Sequence, residues 1–233
     1  MGTLCVFACK DIYLIGNKQE RQAKFCMIPK KTYLCNHKNV NSHTIMDTQN
    51  IIIRPATLGD SDFVARCVCM ALHHEPSAEE LPGIADICSR EDVLYSYRHA
   101  LIAWLGETPV GLCLAYDGDN YHDIRVRTFA AFAALHPDEE DDMDLAHAED
   151  ETCAGEYYID SLAVLPEFRR RGIARRLMQA QMEYGRSLGL LHQTLLVDPE
   201  NPEAQQLYKS LGFGYECDCY AFGQIYWKWG VRL

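Results

Sequence analysis

Apolar positions along the chain fall into separate runs, and the spacing within each run sorts them into strands and helices. Residues 157–165 are a nearly unbroken apolar and β-branched run closed by Pro166, the pattern of a strand buried on both faces. Just downstream the period changes. From Ile173 the apolar residues Leu177, Ala180, Tyr184 and Leu188 recur at steps of three and four, one stripe along a helix that ends at Gly189. Upstream, Ile51, Ile52 and Ile53 form a short strand, and Asp60 or Ser61 caps a helix whose stripe is Phe63, Val64, Cys67, Val68 and Ala71. Residues 73–90, with Pro76, Pro82 and Gly83, read as loop and short helix, and the adjacent His73 and His74 as surface residues. Two apolar runs at 100–105 and 110–116 flank Gly106-Glu107-Thr108-Pro109, a hairpin pattern, and 124–135 has the composition of a helix. Further on, 194–198 is a short buried strand. Asn201 then suits an N-cap with Pro202 at the first helical position; Ala204, Leu207, Tyr208 and Leu211 share one face, and Gly212 ends the helix. Residues 215–222 and 224–229 make a closing pair of strands.

The central strand thus feeds through Arg169-Arg170-Arg171-Gly172 straight into a helix N-terminus. There the first backbone N–H groups lack partners, the helix dipole is positive, and a glycine allows close approach to the backbone. That combination is a seat for phosphate. Neither G-x-x-x-x-G-K-[ST] nor G-x-G-x-x-G after a strand occurs in the chain, which sets two other phosphate loops aside.

Length and composition narrow the class. The 233 residues, 48% of them apolar, have room for one large domain or two small ones. No apolar run approaches the roughly 18 residues of a membrane span, so no membrane partner is expected. The eleven cysteines are scattered through core-like segments, Cys67 and Cys69 on a helix, Cys113, Cys217 and Cys219 on strands, and so read as reduced thiols of a cytoplasmic protein. Cys5, Cys9, Cys26 and Cys35 have no zinc-like pairing, and no metal is expected. Residues 1–45 hold seven Lys/Arg and two Asp/Glu, so within the net charge of −11 the remainder carries −16. An acidic domain is a poor nucleic-acid binder and a better host for cationic substrates, although such charge also serves solubility. Residues 1–45 show no sustained period and no signal-peptide pattern; they are expected to be an N-terminal extension, either disordered or upstream of a natural start at Met46. Nine acidic residues between 138 and 151 sit in an insertion at 117–155 next to the central strand and read as a solvated loop.

The spacing Arg-x-x-Gly-x-Ala at Arg169, Gly172 and Ala174 resembles the acyl-CoA pyrophosphate loop of the GNAT superfamily of N-acetyltransferases. The run I-I-I-R-P-A-T-L-G-D resembles that family's first strand and helix entry, and the G-E-x-P-V-G hairpin is similar to its second and third strands. N-x-x-A-x-x-L-Y-x-x-x-G-F from Asn201 to Phe213 resembles its last block with every marked position filled. The resemblance covers about residues 50–233. It implies an α/β (α+β) GNAT fold over 46–233: a mixed, mostly antiparallel sheet of about seven strands flanked by helices, the fourth and fifth splayed so that pantetheine lies between them. It also implies acetyl-CoA as co-substrate and transfer of its acetyl group to an amine, either of a small molecule or of a peptide. A non-catalytic acyl-CoA sensor, O-acylation and a homodimer stay open.

By the same resemblance, backbone N–H groups at Leu162, Ala163 and Val164 hold the acetyl carbonyl and pantetheine arm. Arg169, Arg170, Arg171, Gly172, Ile173 and Ala174 cradle the pyrophosphate. Tyr208 faces the thioester sulfur as general acid, with packing on the helix as its plain alternative. Asn201 holds a water or the cofactor arm, unless it is only an N-cap. An amine of pKa near 10.4 is unprotonated only about once in 2,500 molecules at pH 7, so a deprotonating route matters. Asp160 and Glu156 have the same strand parity as Leu162 and Val164, which puts them on one face unless a bulge intervenes; both are candidate bases, alongside a water chain.

Overall fold

The computed structural model describes residues 50–135, 149–221 and 224–233. The expected extension 1–45, the start at Met46 and most of the acidic run lie outside the described residues. Seven strands, Ile51–Pro55 (β1), Ala100–Leu105 (β2), Thr108–Asp117 (β3), Glu156–Val164 (β4), His192–Val197 (β5), Gly214–Ala221 (β6) and Gln224–Arg232 (β7), form one sheet in the order β1-β2-β3-β4-β5-β7-β6. Among the described residues only β4 and β5 run parallel; every other pair is antiparallel, which keeps most connections short. Among the described residues five α-helices cover the sheet: Ser61–Ala71 (α1), Glu80–Cys88 (α2), Tyr121–Ala133 (α3), Ile173–Ser187 (α4) and Pro202–Lys209 (α5).

The central strands of the sheet are buried on both faces, and each face has its own core. On one side α1, α2 and α3 pack Val64, Val68, Ile84, Ile87, Phe129 and Phe132 against Leu112, Leu114 and Tyr158. On the other, α4 and α5 pack Leu177, Met178, Ala204 and Tyr208 against Cys113, Leu162, Val164 and Leu195. This is why 157–165 reads as an uninterrupted apolar run, with β4 central in the sheet and buried along all nine residues. The seven cysteines among the described residues are free thiols, as their placement in the sequence suggested. Burial pushes the Cys69 and Cys219 thiols up to about 12, so they stay protonated and unreactive. Among the described residues no helix is long and apolar enough to cross a membrane.

Two helices depart from the sequence reading. α3 begins at Tyr121 rather than 124, entered through Asn120 in the left-handed region at φ 57°. On α4 the sheet-facing side is Ile173, Leu177, Met178, Gln181, Met182 and Gly185, whereas Tyr184 and Leu188 are 46% and 54% exposed. A stripe drawn through large apolar residues misses a glycine and a glutamine that face inward. Gln181 Nε2 donates to the His99 carbonyl, and Gly185 presses against Tyr157 so closely that a Cβ there would lie 2.3 Å from the ring. Gly185→Ala is therefore expected to destabilise the fold by about 1–3 kcal/mol through overpacking, despite alanine's better helix propensity. A variant melting at or above the wild-type midpoint would show that Tyr157 yields freely.

Candidate active site

After β4 ends at Val164, one turn of 3-10 helix at Pro166–Phe168 leads to the basic loop, and the chain enters α4 through two left-handed residues, Arg170 at φ 62° and Gly172 at φ 74°. The first costs an L-residue about 1–2 kcal/mol, a strain retained only where the surroundings impose it. They do so through the arginines. Arg169 Nε donates to the Val164 carbonyl at 2.9 Å, tying the loop to the strand end. Arg171 Nη2 donates to the Glu167 carbonyl at 2.9 Å and lies over the Phe168 ring. Arg170 reaches out to Glu203 at 3.4 Å, an exposed contact of little energetic weight. An ideal Cβ at Gly172 would meet nothing within 4 Å, so that residue opens onto free space.

The space is a groove of about 300 Å³ between the loop, the end of β4 and α5. Of the residues singled out in the sequence, it is lined by Leu162, Val164, Arg169, Arg170, Gly172, Ile173 and Ala174. Ala163, Arg171, Asn201, Tyr208, Asp160 and Glu156 are not among its lining. Arg175, Gln206 and Ser210 also line it, and none of the three stood out in the sequence. Arg175 Nη2 donates to Ser210 Oγ, joining α4 to α5 across the groove. Its helical phase beside Gly172 was the signal that could have found it. The groove thus has a helix N-terminus and a cluster of guanidinium groups at one end and apolar walls toward the strand.

Beyond the groove the sheet itself opens. β4 and β5 pair only from Glu156 to Tyr158, against His192 to Thr194, although both strands continue to Val164 and Val197. On its other edge β4 stays paired to β3 as far as Val164 opposite Gly111. Residues 159–164 therefore present a strand edge toward β5 with no strand partner. Within the same stretch the β3–β4 register slips by one: Leu114 faces Ser161 but Ala115 faces Ile159, leaving Asp160 as the extra residue of a bulge. The bulge resets the alternation. Tyr157 and Ile159 share a core with Leu162 and Val164, while Asp160 turns to Tyr116 in the opposite core. The single face expected for Glu156, Asp160, Leu162 and Val164 is thus broken between Asp160 and Leu162.

Asp160 is 1% exposed; its Oδ2 accepts a short hydrogen bond from the Tyr116 hydroxyl and its Oδ1 accepts one from Ser161 Oγ at 2.7 Å. A second carboxylate lies near it. Glu151, at the end of the acidic run, is 1% exposed and accepts from the Tyr121 hydroxyl at 2.8 Å and from the Tyr158 hydroxyl at 2.5 Å. The rings of Tyr116, Tyr121 and Tyr158 have mutual centroid distances of 5.8 to 6.4 Å. Arg125, itself buried, holds the segment by donating to the Glu149 carbonyl at 2.8 Å and pairing with Asp150 at 3.1 Å. The end of the run expected to be a solvated loop is thus packed into the core, because aromatic hydroxyls and an arginine there satisfy its charges.

Glu156 has a different setting. Its Oε2 accepts from Lys228 Nζ at 2.7 Å, Thr152 Oγ1 at 2.8 Å and Thr194 Oγ1 at 3.2 Å. Burial alone would push its carboxyl up, but the Lys228 ammonium, the Thr152 hydroxyl and the Cys153 backbone N–H outweigh that and hold it below the usual range. Glu156, His192 and Glu216 place one potential metal-ligand atom each within 4.8 Å of one another, with Lys228 already serving as the cation on Glu156. Because the folded carboxyl titrates below its unfolded value, the stability it confers is complete above the unfolded carboxylate pKa near 4.3. It is lost as pH falls through the lower folded value. Lys228→Met strands the carboxylate in a buried site and is expected to cost on the order of 3 kcal/mol at pH 7. The loss should shrink at pH 4, where burial now favours the protonated acid. Denaturant midpoints at both pH values check this; an equal loss at each would show that Lys228 contributes packing alone.

Tyr208 is 2% exposed, tilted against Phe213 at 6.1 Å, and burial, followed by the neighbouring Cys113, pushes its phenol well above the usual value. Cys113 and Leu162 are register partners on β3 and β4 and share a core with Tyr208, so Tyr208 packs on the same face of the sheet as the groove's apolar wall without lining the groove. Asn201 caps α5, its Oδ1 accepting from the Ala204 N–H at 3.0 Å, as its position in the sequence suggested.

Residues 71–213 match the acetyltransferase (GNAT) family, more than half of the chain, and the chain belongs to that family. A crystal structure of an acetyltransferase is similar with a TM-score of 0.65 and 26% identity, over 78% of this chain and 98% of that one. An N-acetyltransferase from Staphylococcus aureus Mu50 has the same fold, with a TM-score of 0.62 at 23% identity over 77% of this chain and all of its own, 100%. So does yncA from Salmonella typhimurium, determined with its cofactor acetyl-CoA, with a TM-score of 0.51 at 15% identity over 79% and 94% of the two chains. Aminoglycoside N(6')-acetyltransferase type 1 from Salmonella typhimurium is 34% identical over 56 residues, 24% of this chain. The match spans 39% of the length of that curated relative.

Proposed function

We propose that this protein is an N-acetyltransferase that moves the acetyl group of acetyl-CoA to an amine by direct attack. The observation that carries the reading is the parting of β4 from β5 beside the Gly172 groove. Buried backbone polar groups require partners, and an extended arm bearing amides can add to the open edge at 159–164 as a further strand would. Pantetheine is such an arm. The groove at its far end fits a pyrophosphate, with the α4 N-terminus supplying N–H donors and Arg169, Arg170 and Arg175 countering the charge. When bound there, acetyl-CoA supplies the activated acyl group and a thiolate leaving group.

The chain's own residues then have defined tasks. N–H groups near the bulge stabilise the oxyanion that forms as the amine attacks. Asp160 draws the amine's proton through Tyr116, whose hydroxyl donates to the carboxylate and can accept from the incoming ammonium. Glu156 is held by Lys228 and does not take this part. Tyr208, kept protonated by burial, hands its proton to the departing sulfur. The −16 charge of residues 46–233 favours cationic acceptors, and the aminoglycoside acetyltransferases among its relatives put polycationic amino sugars first in a trial panel. Thiol release from acetyl-CoA across that panel, with the mass gain of one acetyl group identifying the product, tests the reading. Tight CoA binding with no turnover on any amine would overturn it in favour of a non-catalytic acyl-CoA sensor.

A further inference from the structure

A second recess lies on the other flank of α5. Gln206, Leu207 and Ser210 of that helix face the groove already described, whereas Lys209 turns the opposite way, to a hollow of about 430 Å³ over β6 and β7. Trp227 and Trp229 stand two apart on β7 and so project from one face; their rings are parallel within 7° with centroids 6.4 Å apart. Tyr215 on β6 meets Trp227 edge-on at 90° and 6.4 Å, making a corner of two aromatic walls. The β6–β7 register shifts between Tyr215 and Cys217, which lets Tyr215 and Asp218, three residues apart, serve the same side. Asp218 closes the corner with a carboxylate, held by the Tyr215 hydroxyl at 3.2 Å. Lys209 Nζ lies 5.3 Å from the centre of the Trp229 ring.

We propose that this recess binds a small methylated ammonium cation, at a site separate from acetyl transfer. Aromatic faces attract cations through their quadrupole, and perpendicular indole and phenol walls present that attraction from two directions at once. The apolar walls suit N-methyl groups, which sodium and ammonium lack, and Asp218 supplies the balancing charge. The fold itself already sets one ammonium on this surface, that of Lys209, in a hollow far larger than the group occupying it. Lys209 is therefore the internal competitor of the ligand. This yields an unusual expectation: removing a side chain from the site tightens binding.

Choline is the probe and 3,3-dimethylbutan-1-ol its neutral isostere, each titrated into the full chain at constant ionic strength while tryptophan fluorescence is recorded. Choline is expected to give a saturable change that the isostere does not. Tyr215→Ser and Asp218→Asn should each weaken it about 2–5-fold, the scale of one exposed cation–π or charge contact. Both alter exposed side chains, so thermal midpoints should hold. Lys209→Met should tighten choline binding. Equal binding of the isostere, a response unchanged in both Tyr215→Ser and Asp218→Asn, or no saturable response in wild type and Lys209→Met would each overturn the proposal.

Discussion

Gly172→Asp is expected to abolish acetyl-CoA binding while the protein stays folded. The two halves of this expectation rest on different observations. Folding survives because a Cβ at this position meets nothing within 4 Å, and because aspartate is among the few L-residues that tolerate the left-handed region in which Gly172 sits, at a cost of at most about 2 kcal/mol. Binding fails because the new carboxylate stands at the α4 N-terminus, the seat proposed above for the pyrophosphate. Two like charges 4 Å apart at an effective dielectric of 20 repel by about 4 kcal/mol, a loss on the order of 10³-fold in affinity. Gly172→Ala separates the contributions, since it adds the Cβ and the backbone strain without the charge. Calorimetric titration with CoA is the measurement. A folded Asp variant that binds within tenfold of wild type would place the phosphate seat elsewhere.

The order of strands and helices could be read from the chain because its signals are local. Pro166 closes β4, Gly172 opens α4, and Asn201-Pro202 starts α5, each through the backbone chemistry of one or two residues. Arg169 and Gly172 of the groove lining were legible for the same reason, as a basic turn feeding a helix N-terminus, whereas Leu162 and Val164 came from the family resemblance. What could not be read depends on partners distant in sequence. The bulge at Asp160 exists only relative to β3, so parity along β4 alone assigned Asp160 to the wrong side. Glu151 ends a run of charges that reads as solvated, and its burial depends on Tyr121, 30 residues away, and Tyr158, 7 away. Gln206 and Ser210 join the groove through the approach of α5 to α4, which no periodicity within α5 encodes. Gly185 faced inward against a stripe drawn through larger side chains, because the close contact with Tyr157 selects the absence of a side chain.

Tyr208→Phe is expected to lower kcat on the order of 10²-fold with little change in acetyl-CoA affinity or thermal midpoint. The phenyl ring keeps the contacts with Phe213 and the α5-side core, so the packing that buries Tyr208 to 2% exposure is preserved. What is removed is the hydroxyl proposed above to protonate the leaving sulfur. General acids contribute about 10²–10⁴-fold, and a CoA thiol with a pKa near the 8.5 of cysteine already leaves fairly well, which puts the effect at the low end. The structure also sets the pH dependence. Burial holds the phenol well above its usual pKa, so Tyr208 remains a donor throughout the ordinary alkaline range and gives the wild-type kcat profile no descending limb there. The variant should therefore keep the wild-type profile shape while its whole level drops, and the drop should be smaller for acyl thioesters with more acidic thiols, which need the proton least. Steady-state kinetics on an acceptor amine, with a pair of thioesters differing in thiol pKa, make the comparison. A variant that retains most of the wild-type kcat, or whose loss is the same for both thioesters, would leave Tyr208 a packing residue and give the proton transfer to solvent.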